Sequence, residues 1–391
     1  MMPFDFYRCP RVLFGPGRIA ELGKIATRYG LRALVVTGSG SLERSGNWDK
    51  IARGLADSSV TFDRFTVKGE PSPDLVDSAV REFGNRPLDM VIAVGGGSVI
   101  DCAKAIAAMV PLAEPVTPYL EGVGDRNHPG TTLPLIAAPT TAGTGSEATK
   151  NAVLSRVGTG GFKKSLRHDN FTPVCALLDP ALTLGCPPPV TAACGMDAFT
   201  QLLESYVSPK ASPLTDALAL SGIELISPSL LPASTDRGDD IHCRSSIMYA
   251  AFLSGVTLAN AGLGIIHGLA GPVGGRFPMP HGIVCATLLW EACRINIRRI
   301  QEQRGTEDAM LVKYARVGRI LSASPDADVL QGCGLLLEKL KEWTERLRIP
   351  RLGDYGMKES DLDGLVAQAG QKTNPVQLDA QDVKAILKAR L

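Results

Sequence analysis

The chain has 391 residues, 45% of them hydrophobic and 21% charged. That length exceeds one usual domain, and the composition is that of a globular protein with ample core. Lys plus Arg number 41 against 40 acidic residues, a formal net charge of +1, so charge gives no reason to expect nucleic acid or a membrane surface as partner. The start of the chain carries no charged-then-apolar signal pattern, and no apolar run reaches spanning length. The nine cysteines, at 9, 102, 175, 186, 194, 243, 285, 293 and 333, are scattered without a C-x-x-C pair. An odd, unpatterned set predicts reduced thiols in a cytoplasm, mostly buried as small hydrophobes. Cys194, close to a segment discussed below, reads the same way.

Short strands alternate with helices from the start. Val12-Leu13-Phe14 leads into Gly15-Pro16-Gly17, and Ile19–Tyr29 has helical spacing. The strand Arg32–Thr37 is followed by Gly38-Ser39-Gly40-Ser41 and a helix through Trp48, Ile51 and Leu55. Val60–Val67 predicts a strand and Pro73–Phe83 a helix. Alternation at this spacing means parallel βαβ units, with ligands outside the strand C-termini.

Met90–Ala108 is the most informative stretch. Apolar Met90–Val94 predicts a buried strand, Gly95-Gly96-Gly97 a turn with no Cβ to block close approach, and Ser98 onward a helix carrying Asp101 in its first turn. Strand, glycine turn and helix N-terminus offer amide donors and a positive dipole end, which suits a diphosphate. The alternative is an ordinary strand-to-helix turn, which three consecutive glycines disfavour. The stretch matches neither G-x-G-x-x-G nor the P-loop pattern. A Pro- and Gly-rich loop follows, then the strand Leu133–Ala138 and Pro139–Glu147, crowded with hydroxyls and glycines. That loop suits either a polar ligand or a solvated turn. Val174–Leu178 predicts the last strand of this half.

Asp179–Pro189, with three consecutive prolines, reads as a boundary. Beyond it helical periodicity dominates, through Ala192–Val207, Pro213–Ile226, Arg244–Ala259, Ile283–Ile300 and Glu307–Ile320, a helix bearing Leu336, Leu340, Trp343 and Leu347, and Ala380–Leu391. The fold class expected is therefore an α/β dinucleotide-binding domain with a parallel sheet flanked by helices (1–185) and an all-helical C-terminal domain (186–391).

Two histidines, His267 and His281, lie in the segment 264–282, and Asp197 and Gln201 share a helical face at i,i+4. A carboxylate and two imidazoles suit Fe2+ or Zn2+ with a position open for substrate. From spacing alone, satisfied core or surface histidines remain the alternative.

Gly95-Gly96-Gly97-Ser98-x-x-Asp101-x-Ala103-Lys104, the Pro139–Glu147 loop, Gly195-x-Asp197-Ala198, His267-x-Leu269-Ala270 and Pro280-His281-Gly282 occur in an order that resembles the iron-containing (group III) alcohol dehydrogenases, related in fold to dehydroquinate synthase. The resemblance runs from about Arg11 to the last helix. It implies oxidation of a small alcohol, or reduction of an aldehyde or ketone, with NAD or NADP in an interdomain cleft, and a homodimer. It places Gly95, Gly96, Gly97 and Ser98 on the diphosphate, Asp101 nearby, and Thr140, Thr141 and Thr144 along the nicotinamide half. Lys163 would reach a phosphate or ribose, and Gly38, Ser39 and Ser41 would meet the adenosine ribose. Asp197, His267 and His281 would be catalytic as metal ligands, with Gln201 at the fourth ligand position.

Three departures qualify this. Gln201 stands where the family has histidine, and a neutral amide oxygen is a poorer ligand for these metals. Gly271 replaces a second histidine, removing a proton carrier. Gly38 stands where NAD-preferring members carry an aspartate that repels a 2′-phosphate, which predicts acceptance of NADP(H). The alternatives are a metal-independent keto-acid reductase of the maleylacetate reductase type and a nucleotide-binding relative that has lost catalysis. His128 and His168 read as surface residues.

Overall fold

The computed structural model describes residues 3–391. The chain divides into two compact units, one of residues 8–156 and 163–186, the other of residues 3–7, 157–162 and 187–391.

The first unit is built on a six-stranded sheet in the order β1-β8-β5-β4-β2-β3. Its strands are β1 (Arg11–Phe14), β2 (Arg32–Gly38), β3 (Thr61–Val67), β4 (Met90–Gly95), β5 (Leu135–Pro139) and β8 (Cys175–Leu178). Every pairing is parallel. Crossovers in such a sheet cover both faces, so the central strands are continuously apolar rather than alternating. In β4 all six residues are buried. The helices are α1 (Leu22–Ala26), α2 (Ser41–Arg44), α3 (Asn47–Asp57), α4 (Pro73–Phe83) and α5 (Gly97–Met109). The chain reverses its direction of travel across the sheet between β2 and β4, which puts Gly38 and Gly95 at neighbouring C-terminal strand ends. That switch point is where open α/β sheets bind nucleotides. A separate two-stranded ribbon, β6 (Asn151–Arg156) with β7 (Phe162–Arg167), was not legible as periodicity.

The second unit is helical. Its site-bearing elements are α6 (Pro188–Tyr206), α7 (Pro213–Ile226), α8 (Leu230–Ala233), α9 (Ile241–Ala261), α10 (Ile265–Arg276) and α11 (His281–Arg304). The division between the units falls at the three consecutive prolines, which also open α6, with Pro188 in its first turn, where a missing N–H costs nothing. Helix α10 is unexpected, since it contains Gly268, Gly271, Gly274, Gly275 and Pro272. Packing overrides propensity here. A Cβ on Gly268 would lie 1.8 Å from the Gly370 carbonyl oxygen, so only glycine lets the two backbones meet. Helix α11 approaches α6 by the same device, because a Cβ on Gly282 would sit 2.5 Å from the Ala193 carbonyl oxygen.

Candidate active site

The glycine turn is built against the threonine loop of the same unit. Gly96 caps α5, and the first-turn amides of a helix have no intrahelical acceptor, so those of Gly97 and Ser98 face the end of β4 as donors. A Cβ on Gly97 would fall 2.6 Å from Thr144 Oγ1, and one on Gly96 3.1 Å from Thr141 Oγ1. Thr140 N–H donates to the Gly95 carbonyl at 3.0 Å, tying the loop to the turn. Gly95, Gly96, Gly97, Ser98, Thr140, Thr141 and Thr144 therefore form one shallow backbone-lined cradle with hydroxyls on its rim.

A buried ammonium holds that loop. Lys104, 1% exposed, donates to the carbonyls of Ser146 and Thr149 at 2.9 Å each and of Asn151 at 2.7 Å. Burial pulls its pKa down to about 8 while Asp101 and Glu147 pull the other way. Burial likewise raises the Glu147 carboxyl to about 7. Asp101 accepts from Val153 N–H at 3.2 Å, so one carboxylate oxygen is turned to β6. Lys163 Nζ is 3.0 Å from Glu70 Oε2, an ion pair within the unit. Gly38 ends β2 with only Val99 Cγ2 near a built Cβ, at 3.7 Å. Ser39 and Gly40 follow, and Ser41 starts α2. Gly40 has φ +92, and the Arg44 guanidinium folds back to within 3.0 Å of where its Cβ would be.

The helical unit contains a second cluster. Asp197 comes from the middle of α6, His267 from the first turn of α10, His281 from the start of α11 and Cys285 one turn further along α11. One donor atom from each lies within 4.8 Å of all the others. His267 Nε2 is 3.3 Å and His281 Nε2 3.8 Å from Asp197 Oδ1, and Cys285 Sγ is 3.5 and 3.8 Å from the same two nitrogens. Asp197 is 1% exposed, and neither of its oxygens makes a hydrogen bond. A buried carboxylate without donors is costly unless a cation joins it.

Glu204, two turns from Asp197 on α6, orients the site. Its Oε2 is 2.7 Å from His267 Nδ1, and its Oε1 accepts the Ile266 N–H at 2.8 Å. With Nδ1 turned to Glu204, Nε2 is the ring nitrogen left facing the cluster, the arrangement found behind metal-bound imidazoles. Burial opposes charge on His267, but Cys285 and the carboxylates of Asp197 and Glu204 outweigh it and hold the imidazole well above its ordinary range. Burial also works against the Asp197 carboxylate, and His281 and His267 overcome it, keeping that pKa below the usual value. Burial pushes the Cys285 thiol up to about 12. Gln201 shares the face of α6, but its Oε1 accepts from Ser254 Oγ of α9 at 2.7 Å. The donor set present, two imidazoles, a carboxylate and a thiol, fits a borderline divalent ion.

Cys285 and Glu204 escaped the sequence reading. Their signal was the helical spacing to residues already marked, i,i+4 from His281 and i,i+7 from Asp197. His128 is buried rather than on the surface, its Nε2 3.2 Å from the Ala108 carbonyl oxygen and its Nδ1 accepting the Gly130 N–H at 2.9 Å. It braces a turn.

Family models cover nearly the whole chain. The iron-containing alcohol dehydrogenase model matches residues 9–180, and the Fe-containing alcohol dehydrogenase C-terminal model matches residues 191–391. The chain belongs to the iron-containing alcohol dehydrogenase family. It is 34% identical over 403 aligned positions to alcohol dehydrogenase 4 of Schizosaccharomyces pombe, covering 100% of this chain and 90% of that protein. It is 28% identical to the NAD-dependent methanol dehydrogenase of Bacillus methanolicus, covering 99% and 100%. Among solved structures, an archaeal alcohol dehydrogenase from a Red Sea brine pool superposes with TM-score 0.90 at 26% identity, and a 1,3-propanediol oxidoreductase with TM-score 0.88 at 29% identity, each over 100% of both chains. As a member of this family the protein is an alcohol dehydrogenase, with the parallel-sheet and helical architecture of its relatives.

Proposed function

We propose that this enzyme interconverts a small alcohol and its aldehyde or ketone by hydride transfer to or from a nicotinamide nucleotide, with a divalent ion held by Asp197, His267 and His281. The observation that carries the reading is the Asp197 carboxylate, buried without a hydrogen bond beside two imidazole nitrogens. When bound, such an ion acts as a Lewis acid on the alcohol oxygen. Asp197 and the two imidazoles supply its ligands, and Glu204 fixes the His267 ring so that Nε2 faces it. The glycine cradle takes the cofactor diphosphate on the amides of Gly97 and Ser98, with Thr141 and Thr144 at the rim, while Lys104 keeps the loop in place. Residue 271 is glycine, so no side chain there carries the proton; water or a cofactor ribose hydroxyl carries it.

Cofactor choice follows from the switch point. Gly38 puts no carboxylate beside the ribose, and Arg44 lies over Gly40, a setting that accepts a 2′-phosphate. NADP(H) is therefore accepted alongside NAD(H) and preferred. The enzyme acts as a cytoplasmic homodimer in this reading.

The test is a nicotinamide absorbance assay over a panel of aldehydes, ketones and keto acids with both cofactors. Turnover of short aldehydes, fastest with NADPH, is the expected result. Turnover confined to keto acids, unchanged after metal removal, would replace this reading with a metal-independent reductase.

A further inference from the structure

We propose that Cys285, rather than the residue at position 201, supplies the fourth metal donor, giving an Asp–His–His–Cys site that favours a zinc-class ion over ferrous iron and that takes the alcohol oxygen as a fifth ligand. The inference rests on the metal-binding reading above and concerns this chain's own residues.

Three observations converge. The first is where the donors stand. Zn–N and Zn–O bonds of about 2.0–2.1 Å and a Zn–S bond of about 2.3 Å put the ligand atoms of a tetrahedral site roughly 3.3–3.6 Å apart. Sγ of Cys285 lies 3.5 Å from His267 Nε2 and 3.8 Å from His281 Nε2, while Asp197 Oδ1 lies 3.3 and 3.8 Å from the same atoms. Those four edges are near that spacing, with each imidazole nitrogen joined to both the carboxylate and the sulfur.

The second is what Gln201 does instead. Its carboxamide oxygen accepts the Ser254 hydroxyl at 2.7 Å, and both side chains are buried. Recruiting that oxygen to an ion would compete with a hydrogen bond already made inside the core.

The third is donor chemistry. With the Glu204 carboxylate behind His267, Asp197 and two neutral imidazoles already balance a divalent ion, so what a thiolate adds over an amide is a stronger and softer donor. On binding, the Cys285 S–H proton leaves to solvent as the sulfur–metal bond forms, and a coordinating thiol is deprotonated outright. No oxidation state changes. Thiolate is a soft donor and raises preference for zinc over the harder, weaker-binding ferrous ion.

The experiment uses the full chain, stripped by chelation and titrated anaerobically with Co2+, then competed with Zn2+. The expected result is an intense near-ultraviolet sulfur-to-cobalt charge-transfer band in addition to visible d–d bands. Cys285→Ser should bind Co2+ without the near-ultraviolet band and hold Zn2+ more than about 100-fold less tightly, beyond the 10–100-fold typical of an outer-shell partner. Its loss for Fe2+ should be smaller than its loss for Zn2+. Gln201→Ala should keep the band and lose less affinity than Cys285→Ser. A wild-type cobalt complex with d–d bands and no charge-transfer band overturns the assignment of Cys285 and leaves the metal reading intact. Wild-type protein that binds neither ion overturns both. The wild-type spectrum decides the matter even if a variant fails to fold.

Discussion

The glycine cradle and the Asp197 cluster are opposite constructions. In the α/β unit a buried cation sits among the buried carboxylates: Lys104 donates to the carbonyls of Ser146, Thr149 and Asn151, with Asp101 and Glu147 close by, and only Oδ1 of Asp101 makes no hydrogen bond. What that unit offers a ligand is bare backbone at a turn. In the helical unit the buried carboxylate of Asp197 has no hydrogen bond, and the side chains around it converge from three helices. One site presents backbone amides at a turn; the other, in the reading proposed, takes a cation to balance its carboxylate. Polar groups that serve the fold should therefore cost stability when removed, and those that serve a ligand should cost binding.

The sharpest test of that contrast is Lys104→Met. It strands several carbonyls and two carboxylates in the core, and should lower unfolding free energy by about 3–5 kcal/mol in urea titration. Asp197→Asn, measured on chelated protein in the same titration, should cost less. The reverse order would break the comparison. Gly97→Ala should act next in size. Its Cβ meets Thr144 Oγ1 at 2.6 Å, and overpacking of about 1–3 kcal/mol should weaken NADPH binding roughly 10–100-fold by fluorescence titration, with metal content unchanged.

The cradle was legible in the sequence because its parts are contiguous: Gly95, Gly96 and Gly97 follow one apolar strand and open one helix, so local rules suffice. The cluster was half legible. Asp197, His267 and His281 stood out as residue types, but Cys285 looked like one more buried thiol among nine, and only the packing of α11 beside α6 and α10 brings it to the imidazoles. Gln201 occupied the right face of the right helix, yet its partner, Ser254, is 53 residues away on α9. Helix α10 failed local rules outright, since five of its residues are glycine or proline beyond the first turn or at its contacts, and the backbone of Gly370 decides the matter.

Smaller effects sharpen the account of the α/β unit. Gly38→Asp has room for its side chain, with Val99 Cγ2 at 3.7 Å, and should shift the kcat/KM ratio from NADPH towards NADH by about tenfold, the equivalent of roughly 1.4 kcal/mol. An unchanged ratio would detach Gly38 from cofactor choice. Glu147 contributes through pH. Its carboxyl titrates near 7 in the fold against an ordinary 4.5, so between those values the folded state holds more protons than the unfolded one and stability falls as pH rises. Glu147→Gln should flatten that part of the stability profile.

The central claim is that the Asp197 cluster binds a catalytic cation, and the most direct measurement is aldehyde reduction alongside elemental analysis through a cycle of chelation and reconstitution. Lewis-acid assistance of about 4 kcal/mol corresponds to roughly a thousandfold. The account predicts that kcat/KM falls by that order as the last metal leaves, and returns when one equivalent of Zn2+ or Fe2+ is restored. Protein shown to be free of metal, with kcat/KM unchanged, would contradict it.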